Sequence, residues 1–240
     1  MDYLIDGFFT TFIRENRYRM FLGGLGNTLI ITLGATLLGI VIGALVAIAK
    51  TAYVQSRKKN PLMAVINAIC ELYTTVIRGT PVVVQLLISY NIIFRLSTRP
   101  VLVGVAAFGI NAGAYISEVI RAGINAVDIG QTEAGLSLGL SRSDTMRHIV
   151  MPQAIKNVLP AICNEFIALL KETSVIGYLG VVDITRAAER VISRTANVYF
   201  PYISIALMYL VMVLIFNHFV KKLERRLARS DRGFRRDLVK

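Results

Sequence analysis

Seven ionisable side chains sit inside stretches that are otherwise apolar: Glu71, Arg78, Glu118, Arg121, Glu165, Lys171 and Glu172. A charge left facing lipid is costly, so such groups turn toward the interior of a helix bundle or a water-filled cavity. Two readings follow. The set supplies donors for a carboxylate and acceptors for an ammonium, which is what a small zwitterion needs along a path. The same charges could instead pair with one another, or reach to the membrane surface, and so fix the packing of helices. Glu118 and Arg121 are three residues apart, close enough to pair on one helical face. Covalent chemistry finds little footing. Cys70 and Cys163 are isolated in apolar contexts and read as small buried hydrophobes. His148 and His218 are far apart, with no Cys or carboxylate at ligand spacing, so no metal site is expected. No lysine follows a glycine, so the chain lacks a phosphate-binding P-loop. No cofactor is expected.

The elements that must position these groups are apolar and long. The 240-residue chain is 55% apolar and only 18% charged, with a mean hydropathy of +0.59. A soluble domain is nearer one-quarter charged. Residues 20–49 contain no ionisable side chain, and about 20 apolar residues cross a bilayer. Five crossings are expected, over 21–49, 62–94, 101–120, 154–170 and 199–220. The second is too long for one straight helix, and Arg78-Gly79-Thr80-Pro81 predicts a break, because proline removes a donor and disfavours helix in the residue before it. Gly34, Gly39 and Gly43 in the first segment are spaced for close helix contact. Residues 1–20 mix charges with Phe8, Phe9 and Phe12 and are expected at the interface. They lack the cleavage pattern of a signal peptide.

The net charge of +12 does not point to nucleic acid. Nine of the 27 basic residues crowd into 221–240, directly after an apolar run, and no RNA-binding or zinc motif accompanies them. A basic flank against anionic headgroups accounts for them better. With Lys50, Arg57, Lys58 and Lys59 read as a loop, the positive-inside rule places the N-terminus outside and the C-terminus inside. Sixteen basic residues then lie inside and eight outside. That choice puts the polar stretch 130–152 in the cytoplasm.

This stretch, GQTEAGLSLGLSRSDTMRHIVMP, carries Glu133-Ala134-Gly135, then Gly139, then Ile149 and Pro152. The spacing resembles the EAA loop of ABC importer membrane subunits. Further pieces widen the resemblance to nearly the whole chain: Gly26-Asn27-Thr28-Leu29, Arg78-Gly79-Thr80-Pro81 with Val84-Gln85-Leu86, Gly113-Ala114-Tyr115 with Glu118 and Arg121, Pro152-Gln153-Ala154, and Leu169-Leu170-Lys171-Glu172-Thr173-Ser174. Their order is similar to the polar amino-acid permease subfamily, of the histidine, glutamine, arginine and opine type. Gly135 stands where a second alanine is usual, and Met151 where leucine is usual.

The resemblance implies an all-α integral membrane permease forming a single domain, 1–240, with a cytoplasmic coupling helix. It implies uptake of a polar amino acid or related compound, powered by a separate ATPase. Glu133, Ala134, Gly135, Gly139 and Pro152 would form the ATPase-coupling segment, the small residues letting its backbone approach the partner. Arg78, Glu118, Arg121, Glu165, Lys171 and Glu172 are the candidate substrate path. The implied partners are a pair of ATPase subunits, a second permease subunit of the same or paralogous sequence, an extracytoplasmic binding protein and membrane lipid. The location would be a bacterial inner membrane. The competing reading is an ion-gradient-driven secondary transporter, which broken helices and intramembrane charges also fit. A non-transporting membrane anchor shares the hydropathy.

Overall fold

In the computed structural model, residues 2–56 and 60–237 are described, with side chains over 5–56 and 60–228. The cations at 57–59 and most of those in the tail therefore lie outside the described side chains. Every regular element among the described residues is helical. A short α1 (Asp2–Phe8) and two irregular turns lead into α2 (Tyr18–Gln55). At 38 residues, α2 is about 57 Å long and outreaches the ~30 Å hydrocarbon core. One stripe of it, Ile30, Leu33, Leu37, Val41, Leu45 and Ile48, is exposed, as a lipid-facing surface should be. The opposite stripe, Ile31, Ala35, Gly39, Gly43, Ala47 and Lys50, is buried.

The second apolar segment divides where proline predicts. α3 (Pro61–Gly79) begins at an Asn60 cap, whose side chain accepts from the Leu62 N–H at 3.0 Å. It stops at Thr80 and Pro81, both extended, before α4 (Val82–Ile88). The break would strand α3's last carbonyls. Gln85 answers it by donating to the Ile77 carbonyl at 2.7 Å, the Thr80 carbonyl at 3.0 Å and Thr80 Oγ1 at 2.8 Å. Gln85 in turn accepts from Asn111 at 2.9 Å, which ties the break to the next long helix, α5 (Pro100–Asn125).

α6 (Ile129–Ser137) and α7 (Arg142–Thr145) form the polar connection, and a wide turn at Met146–Val150 leads into α8 (Met151–Glu172). A 3-10 turn (Thr173–Leu179) precedes the amphipathic α9 (Ile184–Thr195), and α10 (Tyr199–Asp237) closes the chain. Asp183 caps α9 through the Thr185 and Arg186 N–H groups at 3.1 and 2.9 Å. Burial pushes its carboxyl above the usual carboxylate range, and those donors oppose the shift. Among the described residues, four helices, α2, α3, α5 and α10, are long and apolar enough to cross a membrane. α8 is long enough at 22 residues but carries Lys156, Asn157, Asn164 and Glu165 in its length.

One expectation changes. α2 continues to Gln55, so Lys50 belongs to a buried helix face and not to a loop. α10 runs without interruption from the membrane segment through residue 237.

The centre of the bundle is α2 against α5. A Cβ on Gly39 would stand 2.9 Å from the Ala112 Cβ, and one on Gly43 would stand 2.9 Å from the Ser117 nitrogen and 3.0 Å from the Gly113 carbonyl oxygen. Small residues at i and i+4 bring the two backbones together. Around this seam pack Ile31, Phe108, Ile116, Leu169 and Ile176. Gly43→Val should therefore force the helices apart and cost about 1–3 kcal/mol by overpacking, seen as loss of monodisperse protein and a lower Tm. Gly26→Ala, where nothing lies within 4 Å of the added carbon, should leave both unchanged.

Candidate functional site

The polar stretch folds as a compact hook. Asp128 caps α6 by accepting from the Gly130 N–H at 2.7 Å. The helix ends in a Schellman motif: the Leu140 N–H donates to the Gly135 carbonyl at 3.1 Å and the Gly139 N–H to the Leu136 carbonyl at 3.0 Å. Gly139 has φ +82, the left-handed conformation that this stop requires and glycine adopts without strain. Gly135 is buried against the chain's own α7 and the turn after it. A Cβ there would meet Thr145 Cγ2 at 2.8 Å and Ile149 Cδ1 at 2.9 Å.

The expected common docking face of small residues is thus revised. Gly135 packs inward and Gly139 terminates the helix, so both act within the fold. Glu133, Ala134 and Pro152 are exposed. Two residues that the spacing argument passed over stand out more: Leu138 is 81% exposed and Ile129 is 74% exposed, well beyond the partly exposed Leu136 and Leu140 of the same stretch. The signal was present, since an apolar side chain between Ser137 and Gly139 has no core to enter. Gln153 on α8 donates to Gln131 on α6 at 3.2 Å and to the Ile149 carbonyl at 2.9 Å, holding the hook to the bundle.

The seven intramembrane charges separate into two groups. In the first, Lys50 Nζ lies 2.8 Å from Glu118 Oε1 and 3.1 Å from Glu71 Oε1, and Arg121 lies 3.1 Å from the same Glu118 oxygen. Lys50 is only 2% exposed. Two cations and two carboxylates from α2, α3 and α5 thus satisfy one another, as the packing reading expects. Sequence reasoning missed Lys50 because it ends an apolar run and begins a basic one, and so looks like a flank.

The second group is open. Arg78, at the end of α3, has its guanidinium carbon 5.6 Å from the Tyr115 ring centroid, a cation–π approach. It interacts electrostatically with Glu165 on α8, while Glu165 and Lys171 both act on Glu172. No ion pair within 4 Å joins these four among the described residues. They continue polar stripes on two helices. α3 presents Asn67, Glu71, Thr75 and Arg78 at helical spacing, and α8 presents Asn157 and Asn164, both exposed.

Comparison with known proteins decides the family. Residues 39–229 match the family model described as the inner membrane component of binding-protein-dependent transport systems. The chain belongs to this family. It is 39% identical over 196 residues to a putative glutamine transport system permease of Rickettsia typhi, covering 80% of this chain and 86% of that one. It is 38% identical over 219 residues to the arginine transport system permease of Bacillus subtilis, covering 88% and 93%. Among solved structures, an amino acid ABC transporter crystallised with histidines superposes with a TM-score of 0.80 at 41% identity, over 90% of this chain and 98% of that one. The chain is therefore a multi-pass inner-membrane permease with the ABC importer fold. Membership implies an ATPase and a substrate-binding protein as partners.

The closed charge group predicts an asymmetry between its members. Glu118→Ala leaves buried Lys50 with one half-exposed partner and Arg121 with none, and should cost about 3 kcal/mol or more. Lys50→Met leaves no buried charge unpaired, because Glu118 keeps Arg121 and Glu71 reaches solvent, so its cost should stay near 1 kcal/mol. Thermal unfolding of the two purified variants checks the order.

Proposed function

We propose that this subunit forms half of the membrane path of an importer for polar amino acids, with the N-terminus outside and the C-terminus inside. The whole chain serves as a single permease domain with five crossings, the fifth helix of the set being α8. It works with a second permease subunit, a pair of ATPases and an extracytoplasmic binding protein. It carries out no covalent chemistry.

The observation that carries this reading is the open charge group. Arg78 offers a planar pair of donors to a carboxylate, and Glu165 with Glu172 offers acceptors to an ammonium. Both sets lie on helices whose polar stripes one chain leaves uncovered. Glutamine and arginine, named for two of the relatives, each present those two ends. Glu118 and Arg121 sit outside this proposal, since they complete the closed group with Lys50. The ATPase docks on α6 through Leu138, Ile129 and Ala134, with Glu133 accepting from partner donors near the helix start.

In proteoliposomes containing the assembled complex, Arg78→Ala and Glu165→Gln should each lower ATP-dependent amino-acid uptake by about tenfold or more, the scale expected when one member of a recognising charge pair is removed. Uptake at the wild-type rate in both would sink the path. Leu138→Glu changes only an exposed side chain. It should leave the Tm unchanged and abolish co-purification of the ATPase. Normal assembly of that variant would remove α6 from the docking role. Gly139→Arg is a poorer probe, because its strained φ would confound docking with folding.

A further inference from the structure

At the end of the bundle that carries the hook, α2 and the start of α8 border a groove of about 370 Å³ whose floor is the end of α5. Ala44, Ile48, Ile120, Ile155 and Val158 line it, so its wall is apolar. Ile48 and Ile155 are exposed there, and Ile48 continues the lipid-facing stripe of Leu37, Val41 and Leu45. The groove runs into a second hollow of about 530 Å³, the two sharing Ala52, Gln55, Met146 and Met151. Over a lining that still includes Met63, Met146 and Met151, this hollow adds cationic and polar groups: Arg142, Arg147 and Ser143 from the hook, and Gln55 and Ser56 from the end of α2. Among the described residues, Arg142 and Arg147 make no ion pair and no side-chain hydrogen bond, although both are exposed. In sequence, Ser56 is followed directly by Arg57-Lys58-Lys59.

An apolar slot open to the bilayer, ending in two unpaired guanidinium groups and a hydroxyl, matches one kind of molecule. We propose that it holds an anionic phospholipid, with an acyl chain along α2 and α8 and the phosphate between Arg142 and Arg147. Guanidinium groups bind phosphate in a fork geometry, and basic hollows between membrane helices at the cytoplasmic surface are suited to anionic headgroups. A soluble partner could reach the arginines but not the slot, and a neutral lipid would leave the arginines unmatched. The bound lipid would brace α7, and through Gly135 the hook, against α2. This assignment depends on the membrane location and on neither the substrate path nor the docking of α6.

The test is lipid retention by the permease–ATPase complex purified from membranes and washed in detergent, read by native mass spectrometry. The complex is then returned to phosphatidylcholine vesicles with and without phosphatidylglycerol. Wild type should retain phosphatidylglycerol in preference to phosphatidylcholine. Arg142→Gln with Arg147→Gln should reduce that retention by about tenfold or more, given the attraction each basic residue contributes at an anionic surface. Ala44→Phe, which fills the slot and leaves the arginines, should reduce it as well. Lys221→Gln with Lys222→Gln, which removes cations elsewhere, should not. The arginine pair alters exposed side chains only, so it decides the matter even where Ala44→Phe fails to fold. Equal retention by the arginine variant and wild type overturns the proposal, as does equal retention of the two lipids. Unchanged lipid with lost ATPase co-purification also overturns it, placing the arginines in the protein interface.

Discussion

Everything in this bundle depends on the close approach of α2 and α5. Lipid is as apolar as leucine, so the hydrophobic effect does not drive two membrane helices together, and association rests on packing and internal polar contacts. Gly39 and Gly43 against Ala112 and Gly113 supply the packing, because no Cβ fits at either α2 glycine. The consequences spread outward. With the backbones this close, Phe108 and Ile116 are fully enclosed. Gly104 lets Ile176 of the 3-10 turn close over α5, and Gly24 lets the Asp183–Ile184 backbone close over the start of α2. A helix pair held by van der Waals contact over many turns has little freedom to slide, so it serves as the frame from which the other helices hang.

α3 hangs from that frame differently. Thr74 is its one buried residue among those described. Polar contacts hold it instead: Tyr73 donates to the Ile110 carbonyl at 2.5 Å, and Glu71 reaches Lys50 at 3.1 Å. Gln85 bridges its broken end to Asn111. Each of these is strengthened by the low dielectric around it. Few in number and separable, they allow a helix to shift as a unit where a packed seam would not. The contrast between the α2–α5 seam and the polar attachments of α3 divides the subunit into a rigid frame and a more loosely held wall.

Most of this fold was legible in the residues. Hydropathy located the long helices, Thr80-Pro81 the break, and the glycine spacing of 39 and 43 the central seam. What escaped was contextual. Lys50 is chemically identical to its neighbours Lys58 and Lys59, and only the length of α2 shows that it turns inward to Glu118. Gly135 and Gly139 have the small size that close docking requires. Small size also serves an inward contact or a positive φ, and spacing alone does not tell these apart. Periodicity placed Glu118 and Arg121 as a pair but carried no information about the third partner, 68 residues away from Glu118. The open group is legible in type but not in membership. The sequence supplies Arg78 and Glu165, and the fold alone brings α3 and α8 near enough for the two to interact.

The position of the hook joins these features. α6 follows α5, the inner member of the rigid frame, after a three-residue turn, and α8 begins directly after the hook, so the hook is joined to the bundle at two places. Through Ala126 and Asn125 it meets α5, which the glycine seam holds to α2. Through Gln131, Gln153 and the wide turn before Pro152 it meets α8, which carries Asn157, Asn164 and Glu165. Proline at 152 removes an N–H and crowds the preceding turn, and the wide turn at Met146–Val150 lies where that crowding falls. A hook packed tightly by Gly135 thus meets α5 through a short turn and α8 through a wider, loosened one. The open charge group faces across from α8, which follows the hook, to α3, the wall that polar contacts rather than packing hold.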